Sequence, residues 1–231
     1  MQEPSEPSID HHIQLHILKE MLTRVEARYS ELKPPAVEAN LFMYHLNQLI
    51  KVGLIIKKEK AYVLTRAGKH FADRAYLGSM KIRLQPKSIT ILAIQNTSDK
   101  WLILKRMHQP FINYKGFPSG KIHYGEKLLE SAERELLEKS GLSNVPIELK
   151  GNIVMRFMDE AAAVNHILGY VFYGRVTDDR EVDYEREHFR SYFAPESEFF
   201  SPPHFEGHQQ IFELLKGPYP FIAEHDFKSA Y

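Results

Sequence analysis

Cysteine is absent from the 231 residues of this chain, which excludes disulfides, thiolate metal sites and a cysteine nucleophile together. No apolar run approaches the length of a membrane span, and the polar opening MQEPSEPSID is unlike a signal peptide. A soluble cytoplasmic protein is the resulting expectation. The sequence also lacks a G-x-x-x-x-G-K-[ST] phosphate loop and a G-x-S-x-G nucleophile elbow. Net charge is missing too, because 30 Lys and Arg balance 30 Asp and Glu. That zero hides an asymmetry: residues 1–90 carry a net +5 and residues 91–231 a net −5. The front of the chain therefore leans towards anionic partners.

What is present divides the chain in two, consistent with a length that suggests one or two domains. Residues 1–9, with Pro4 and Pro7, read as a disordered leader. A domain is expected over 10–75, a linker over 76–87, a second domain over 88–217 and a tail over 218–231 with no assigned element. In the first domain the spacing of Ile13, Leu15, Ile17, Leu18, Met21, Leu22 and Val25 predicts an amphipathic helix over 10–32. Pro34 and Pro35 break it, and a short helix is expected over 35–40. Another follows over 41–52, ending at Gly53. Two strands, 54–58 and 61–64, flank Glu59-Lys60, and Thr65 is placed to cap a helix over 66–74.

This order, with YHLNQL through GLI at 44–55 and YVLTRAG at 62–68, resembles a winged helix-turn-helix domain. The resemblance implies binding of double-stranded DNA by a homodimer reading paired half-sites. Residues 41–52 would then be the recognition helix, with Asn40, Tyr44, Asn47, Gln48 and Lys51 on its free face. Asn and Gln can pair with adenine, while Lys and Tyr suit phosphate contacts. Lys57, Lys58 and Lys60 would reach flanking phosphates. The blander alternative is a module that docks onto another protein, with these charges merely solvated.

The second domain is predicted as mixed α/β: strands 88–95 and 101–106 around an Asn96–Asp99 turn, then strands 153–157, 166–176 and 187–193, and a helix over 204–216. Its most informative stretch is GKIHYGEKLLESAERELLEKSGL, residues 120–142. Residues 127–139 are rich in helix formers. Leu128, Leu129, Ala132, Leu136 and Leu137 recur at helical spacing, and Gly141 suits a left-handed helix end. Glu130 with Arg134, and Glu135 with Lys139, are spaced to pair. Glu135 and Glu138 lie three apart on one side, an oxygen pair of the kind a hard divalent cation takes.

Gly120, Glu126, Arg134, Glu135, Leu136, Glu138, Gly141 and Leu142 resemble the Nudix box, G-x5-E-x7-R-E-U-x-E-E-x-G-U, at every fixed position but one. Lys139 stands where the second glutamate of the EE pair belongs. The resemblance implies an α/β/α sandwich and a catalytic set of Glu126, Arg134, Glu135 and Glu138. Glu126 and Arg134 would brace the loop and helix, and Mg2+ or Mn2+ would be held at Gly120, Glu135 and Glu138. Lys139 turns an attraction for that cation into a repulsion. Two outcomes stay open: Lys139 pairs with Glu135, or it points to solvent while the acidic run 178–185 supplies a carboxylate.

Lys105 and Arg106 are candidate diphosphate contacts, and Phe111, Tyr114 and Phe117 candidates for stacking on a base. The pairs His12/His16 and His204/His208 have metal-compatible spacing, but neither has a third partner of matching quality. Two functions follow. One is a DNA-binding transcriptional regulator whose Nudix-like domain binds a nucleoside diphosphate derivative as effector. The other is a magnesium-dependent Nudix hydrolase cleaving such a compound.

Overall fold

In the computed structural model, residues 9, 11–76, 83–178 and 180–229 are described, and the chain divides into units Met1–Leu84 and Gln85–Tyr231. Residues 1–8 of the expected leader and residues 77–82 of the expected linker lie outside the described residues. Ile9, also assigned to the leader, is instead buried in the core of the first unit.

The first unit contains α1 (His12–Leu22), β1 (Ala27–Arg28), α2 (Tyr29–Leu32), α3 (Ala39–Lys51), β2 (Ile55–Lys58), β3 (Ala61–Leu64) and α4 (Arg66–Arg74). The single helix expected over 10–32 is thus three elements. Glu20 O, at the end of α1, accepts from Thr23 Oγ1 at 3.1 Å and Arg24 Nη1 at 3.2 Å. Such side-chain donors satisfy the carbonyls a helix end leaves open. Val25 is 94% exposed, outside the apolar stripe assigned to it. Ala27 and Arg28 then pair with Tyr62 and Ala61, adding a third strand to the β2–β3 hairpin. In place of a helix over 35–40, Val37 N–H donates to Pro34 O at 3.2 Å in a turn. Thr65 caps α4 as expected, its hydroxyl accepting from Gly68 N–H at 3.0 Å. The core gathers Ile13, Ile17 and Met21 of α1 with Phe42, Leu46 and Leu49 of α3 and Ile55. His45 is buried beside them, its ring stacked on His11 at 3.7 Å. Burial, followed by the nearby His11 and His12, lowers its pKa.

The second unit contains β4 (Lys87–Gln95), β5 (Trp101–Arg106), β6 (Lys115–Gly116), β7 (Ser119–Lys121), α5 (Leu128–Ser140), β8 (Ile147–Asp159) and β9 (Ala162–Arg175). After these come β10 (Asp183–Arg186), β11 (Phe189–Ala194), α6 (Glu196–Phe199), α7 (His208–Leu215) and β12 (Phe221–Lys228). One sheet runs β10-β11-β5-β4-β9-β8-β12, with β6 on β5 and β7 on β4. Period-two alternation along β4 sends Ile91 and Ala93 to one face and Leu92 and Ile94 to the other. Phe199 of α6 and Ile211 and Phe212 of α7 cover the first face. Ala132 and Leu136 of α5 cover the second, giving the three expected layers.

Several boundaries differ from expectation. The strands placed at 153–157 and 166–176 are arms of one long hairpin, β8–β9. The strand at 187–193 is β11, and part of the acidic run before it forms β10. The helix placed at 204–216 begins only at His208, because His204 bridges Lys115 instead. Residues set aside as a tail form β12, parallel to β8 from Phe221 through Lys228. Phe221 and Phe227 are buried there against the sheet core, which ties this segment to the domain.

Candidate functional site

The loop before α5 is organised by Glu126. Its carboxylate accepts from His123 N–H at 2.9 Å and, along one edge of the Arg134 guanidinium, from Nε at 2.6 Å and Nη2 at 2.9 Å. The paired bond to Arg134 comes first among the causes that hold this carboxyl down at about 2. Desolvation opposes it, and the His123 amide reinforces it. Arg134 also donates to Glu135 Oε1 at 2.7 Å, to Glu138 Oε2 at 3.3 Å and to Lys121 O at 3.1 Å. One guanidinium therefore joins three carboxylates and the β7 backbone, and Glu126 first, then Glu135, raise its pKa against desolvation. Glu130 is not its partner. Glu130 caps α5 at Lys127 N–H, 3.2 Å away, and leaves Arg134 to the loop. The helix ends at Gly141, φ 72°, a left-handed conformation that favours glycine. Leu129 and Leu137, assigned to the apolar face, are exposed, and the buried stripe runs through Ser131, Ala132, Glu135 and Leu136.

Glu135 is the buried acid of the set, and Gly120 of β7 lies directly against it. A Cβ at Gly120 would overlap the Glu135 carboxylate, so only glycine leaves that space open. Glu135 Oε2 has no hydrogen-bond partner. The ammonium of Lys139 stands 4.0 Å from that oxygen and 4.8 Å from the centre of the Phe189 ring. At 4 Å and an effective dielectric near 20, opposite unit charges attract by about 4 kcal/mol before desolvation. Of the two alternatives for Lys139, pairing with Glu135 is the one this geometry adopts.

A magnesium ion wants roughly six oxygens at about 2.1 Å. Here Glu135 spends one oxygen on Arg134 and turns the other to an ammonium, while Glu138 leans on Arg134 and is half exposed. In the acidic run, Asp178 pairs with Arg180 and Asp183 with Arg190; Asp179 lies outside the described residues. Among the described residues no three acids or histidines are grouped to hold a metal ion. That holds for the histidine pairs as well. As arranged, these residues do not fit a bound magnesium.

Beside this helix lies a cavity of about 610 Å3, within the usual range for small-molecule sites. Lys87 of β4, Arg106 of β5, Lys139 of α5 and Lys228 of β12 are among its lining, and Glu206 is the one acidic residue there among the described residues. Arg106 contacts His108, its Nη2 lying 3.1 Å from Nε2. Lys105 does not reach the cavity, because neighbouring side chains on a strand point to opposite faces.

Phe111, Tyr114 and Phe205, which also line the cavity, form an aromatic corner with centroids 5.3–5.6 Å apart. Phe117, grouped with them in the sequence, lines the cavity from the buried core. His208 is also in this wall, and its Nδ1 accepts from Phe117 N–H at 3.2 Å. Burial pushes its pKa down to about 3, so the ring is neutral at ordinary pH. Lys87, Phe189, Phe205, Glu206 and Lys228 had no sequence signal, since they meet only through the sheet.

In the first unit, Asn40, Tyr44, Asn47 and Lys51 are exposed on α3 and Gln48 is half-buried. Lys57 and Lys58 on β2 and Lys60 in the following turn are exposed as well. These are the residues singled out as candidate DNA contacts.

A family model described as NUDIX domain matches residues 84–215. Among solved structures, the Mutator MutT protein from Bacillus halodurans is similar at 22% identity and TM-score 0.51, over 62% of this chain and 90% of that one. The NUDIX domain of Shewanella oneidensis NrtR, solved in complex with ADP-ribose, is similar at 17% identity and TM-score 0.51. That match covers 66% of this chain and 97% of the other. Identities this low speak for the fold alone. No curated protein sequence matches the chain.

Proposed function

Because this chain belongs to the NUDIX domain family, matched over residues 84–215, we propose that it is a DNA-binding transcriptional regulator whose NUDIX domain binds a nucleoside diphosphate derivative as effector without cleaving it. The observation that carries this reading is the Lys139 ammonium beside Glu135, where a hydrolase needs a third carboxylate. A sensor gains by leaving its ligand intact. The cavity offers cations for a diphosphate and an aromatic corner for a base. ADP-ribose, bound by the NrtR NUDIX domain, is a compound of that kind. The first unit supplies the output: a winged helix-turn-helix in which α3 and the β2–β3 hairpin present Asn40, Tyr44, Asn47, Gln48, Lys51, Lys57, Lys58 and Lys60 to double-stranded DNA. A homodimer would read paired half-sites, and the effector acts by preferring one dimer arrangement.

A second reading, a pyrophosphohydrolase, draws support from the intact Glu126–Arg134–Glu135–Glu138 network and from Glu135 Oε2, which has no hydrogen-bond partner. Product formation from a nucleoside-diphosphate panel with Mg2+ or Mn2+ separates the two. The regulator reading expects no turnover by the wild type and turnover appearing in Lys139→Glu. Turnover by the wild type that disappears in Glu138→Gln supports the hydrolase instead. Fluorescence anisotropy on genomic DNA fragments tests the output, with binding that weakens steeply as salt rises. Absent or salt-insensitive binding, with and without nucleotide, sinks the regulator.

A further inference from the structure

A NUDIX-type site with an ammonium in its acidic cluster has lost part of its call for a metal and gained a cation of its own. We infer that the cavity of this chain binds the diphosphate of its ligand without a divalent cation, with Lys139 supplying the counter-charge. The inference rests on the ligand-binding reading above and specifies how that site works. Lys139 lines the cavity itself, together with Lys87, Arg106 and Lys228, against one acid, Glu206, among the described residues. Among the described residues the carboxylate oxygen nearest to it, Glu135 Oε2, is at 4.0 Å, beyond hydrogen-bond reach. An ammonium carries three donors, and the Glu135 contact leaves them available to phosphate oxygens.

The Phe189 ring 4.8 Å away faces the same ammonium and holds it on the cavity side. A magnesium ion bound to Glu135 would sit within a few ångströms of this charge, and the two would repel. The remaining carboxylates are already occupied: Glu126 and Glu138 both lean on Arg134. Four cationic side chains and the rings of Phe111, Tyr114 and Phe205 line this one cavity, a combination that suits a ligand with a diphosphate and a flat ring. In this arrangement the protein provides all the positive charge the diphosphate needs.

Isothermal titration calorimetry on the full chain tests this, with ADP-ribose, ADP and inorganic diphosphate as probes, each in EDTA and in Mg2+. The wild type is expected to bind at least one probe equally well in both conditions. Lys139→Gln should weaken binding in EDTA by about ten- to a hundred-fold, the loss of one charge-assisted contact. Lys139→Glu should bind only when Mg2+ is added. Thermal unfolding of each variant checks that its fold survives, and the wild-type comparison needs no variant at all.

Wild-type binding that appears only with Mg2+ overturns the cation-free site while leaving the ligand-binding reading intact. Undiminished binding by Lys139→Gln in EDTA overturns the assignment to Lys139. No binding of any probe in either condition overturns both the inference and the reading beneath it.

Discussion

His208 shows how one buried side chain sets a pH response. Its Nδ1 accepts the Phe117 amide, and burial lowers its pKa from 6.5 to about 3. The unfolded chain therefore takes up a proton below about 6.5 that the folded chain refuses. Stability of the second unit should fall as pH drops through the window from 6.5 towards 3. Urea midpoints at about pH 7 and pH 5 measure the slope. His208→Phe should flatten that slope, at a cost of roughly 1–3 kcal/mol at neutral pH for the stranded Phe117 amide. An unchanged slope would mean that other groups carry the acid sensitivity. The histidine was visible in the sequence only as one of a pair four apart. Its role was not, because burial and the Phe117 amide belong to a packing between segments 91 residues apart.

The α5 helix and its loop act as one unit through Arg134. That side chain holds Glu126, Glu135 and Glu138 together, and Glu135 and Glu126 are largely buried. Arg134→Met leaves three neighbouring carboxylates without their shared cation. The expected loss is about 3 kcal/mol, the low end for breaking a buried pair, read as a lowered thermal midpoint. Glu126 should also titrate upward from about 2 towards its ordinary value of 4.5, measurable by NMR. A variant with an unchanged midpoint would show that the network is ornamental to stability. This element was the most legible part of the chain. Its glycines, cap and charge spacing act over short range, and the α5 boundaries shift by a single residue from expectation. The exception was the assignment of Leu129 and Leu137 to the buried face, since periodicity alone does not say how wide the sheet contact is.

The two units each carry their own buried core, one gathered around α1 and α3 and the others on the two faces of the large sheet. Separate expression of residues 1–84 and 85–231 should therefore give two chains that each unfold cooperatively. The longer fragment is expected to keep the affinity of the full chain for ADP-ribose, and the shorter one salt-sensitive DNA binding. Circular dichroism and fluorescence anisotropy check the two halves. A fragment 85–231 that folds but has lost ligand binding would show that the site depends on the first unit. Ending the chain before Pro218 instead should unfold the second unit, because it removes β12 with the buried Phe221 and Phe227.

The division into two units, the α5 helix with its acidic cluster and the departure at Lys139 were all determined by the sequence, since caps, turns and periodicity are local and Lys139 is conspicuous at its spacing. The tertiary structure decided the rest. It broke the first helix at Thr23, where the Glu20 carbonyl is met by the Thr23 and Arg24 side chains. It made a strand of Phe221–Lys228, paired with β8, in which Phe221 and Phe227 are buried. It turned Lys139 towards Glu135 and Phe189 and into the cavity. The cavity itself draws on residues from Lys87 to Ser229, and only long-range strand pairing brings them to one wall. A pattern confined to neighbouring residues carries no information about such a meeting.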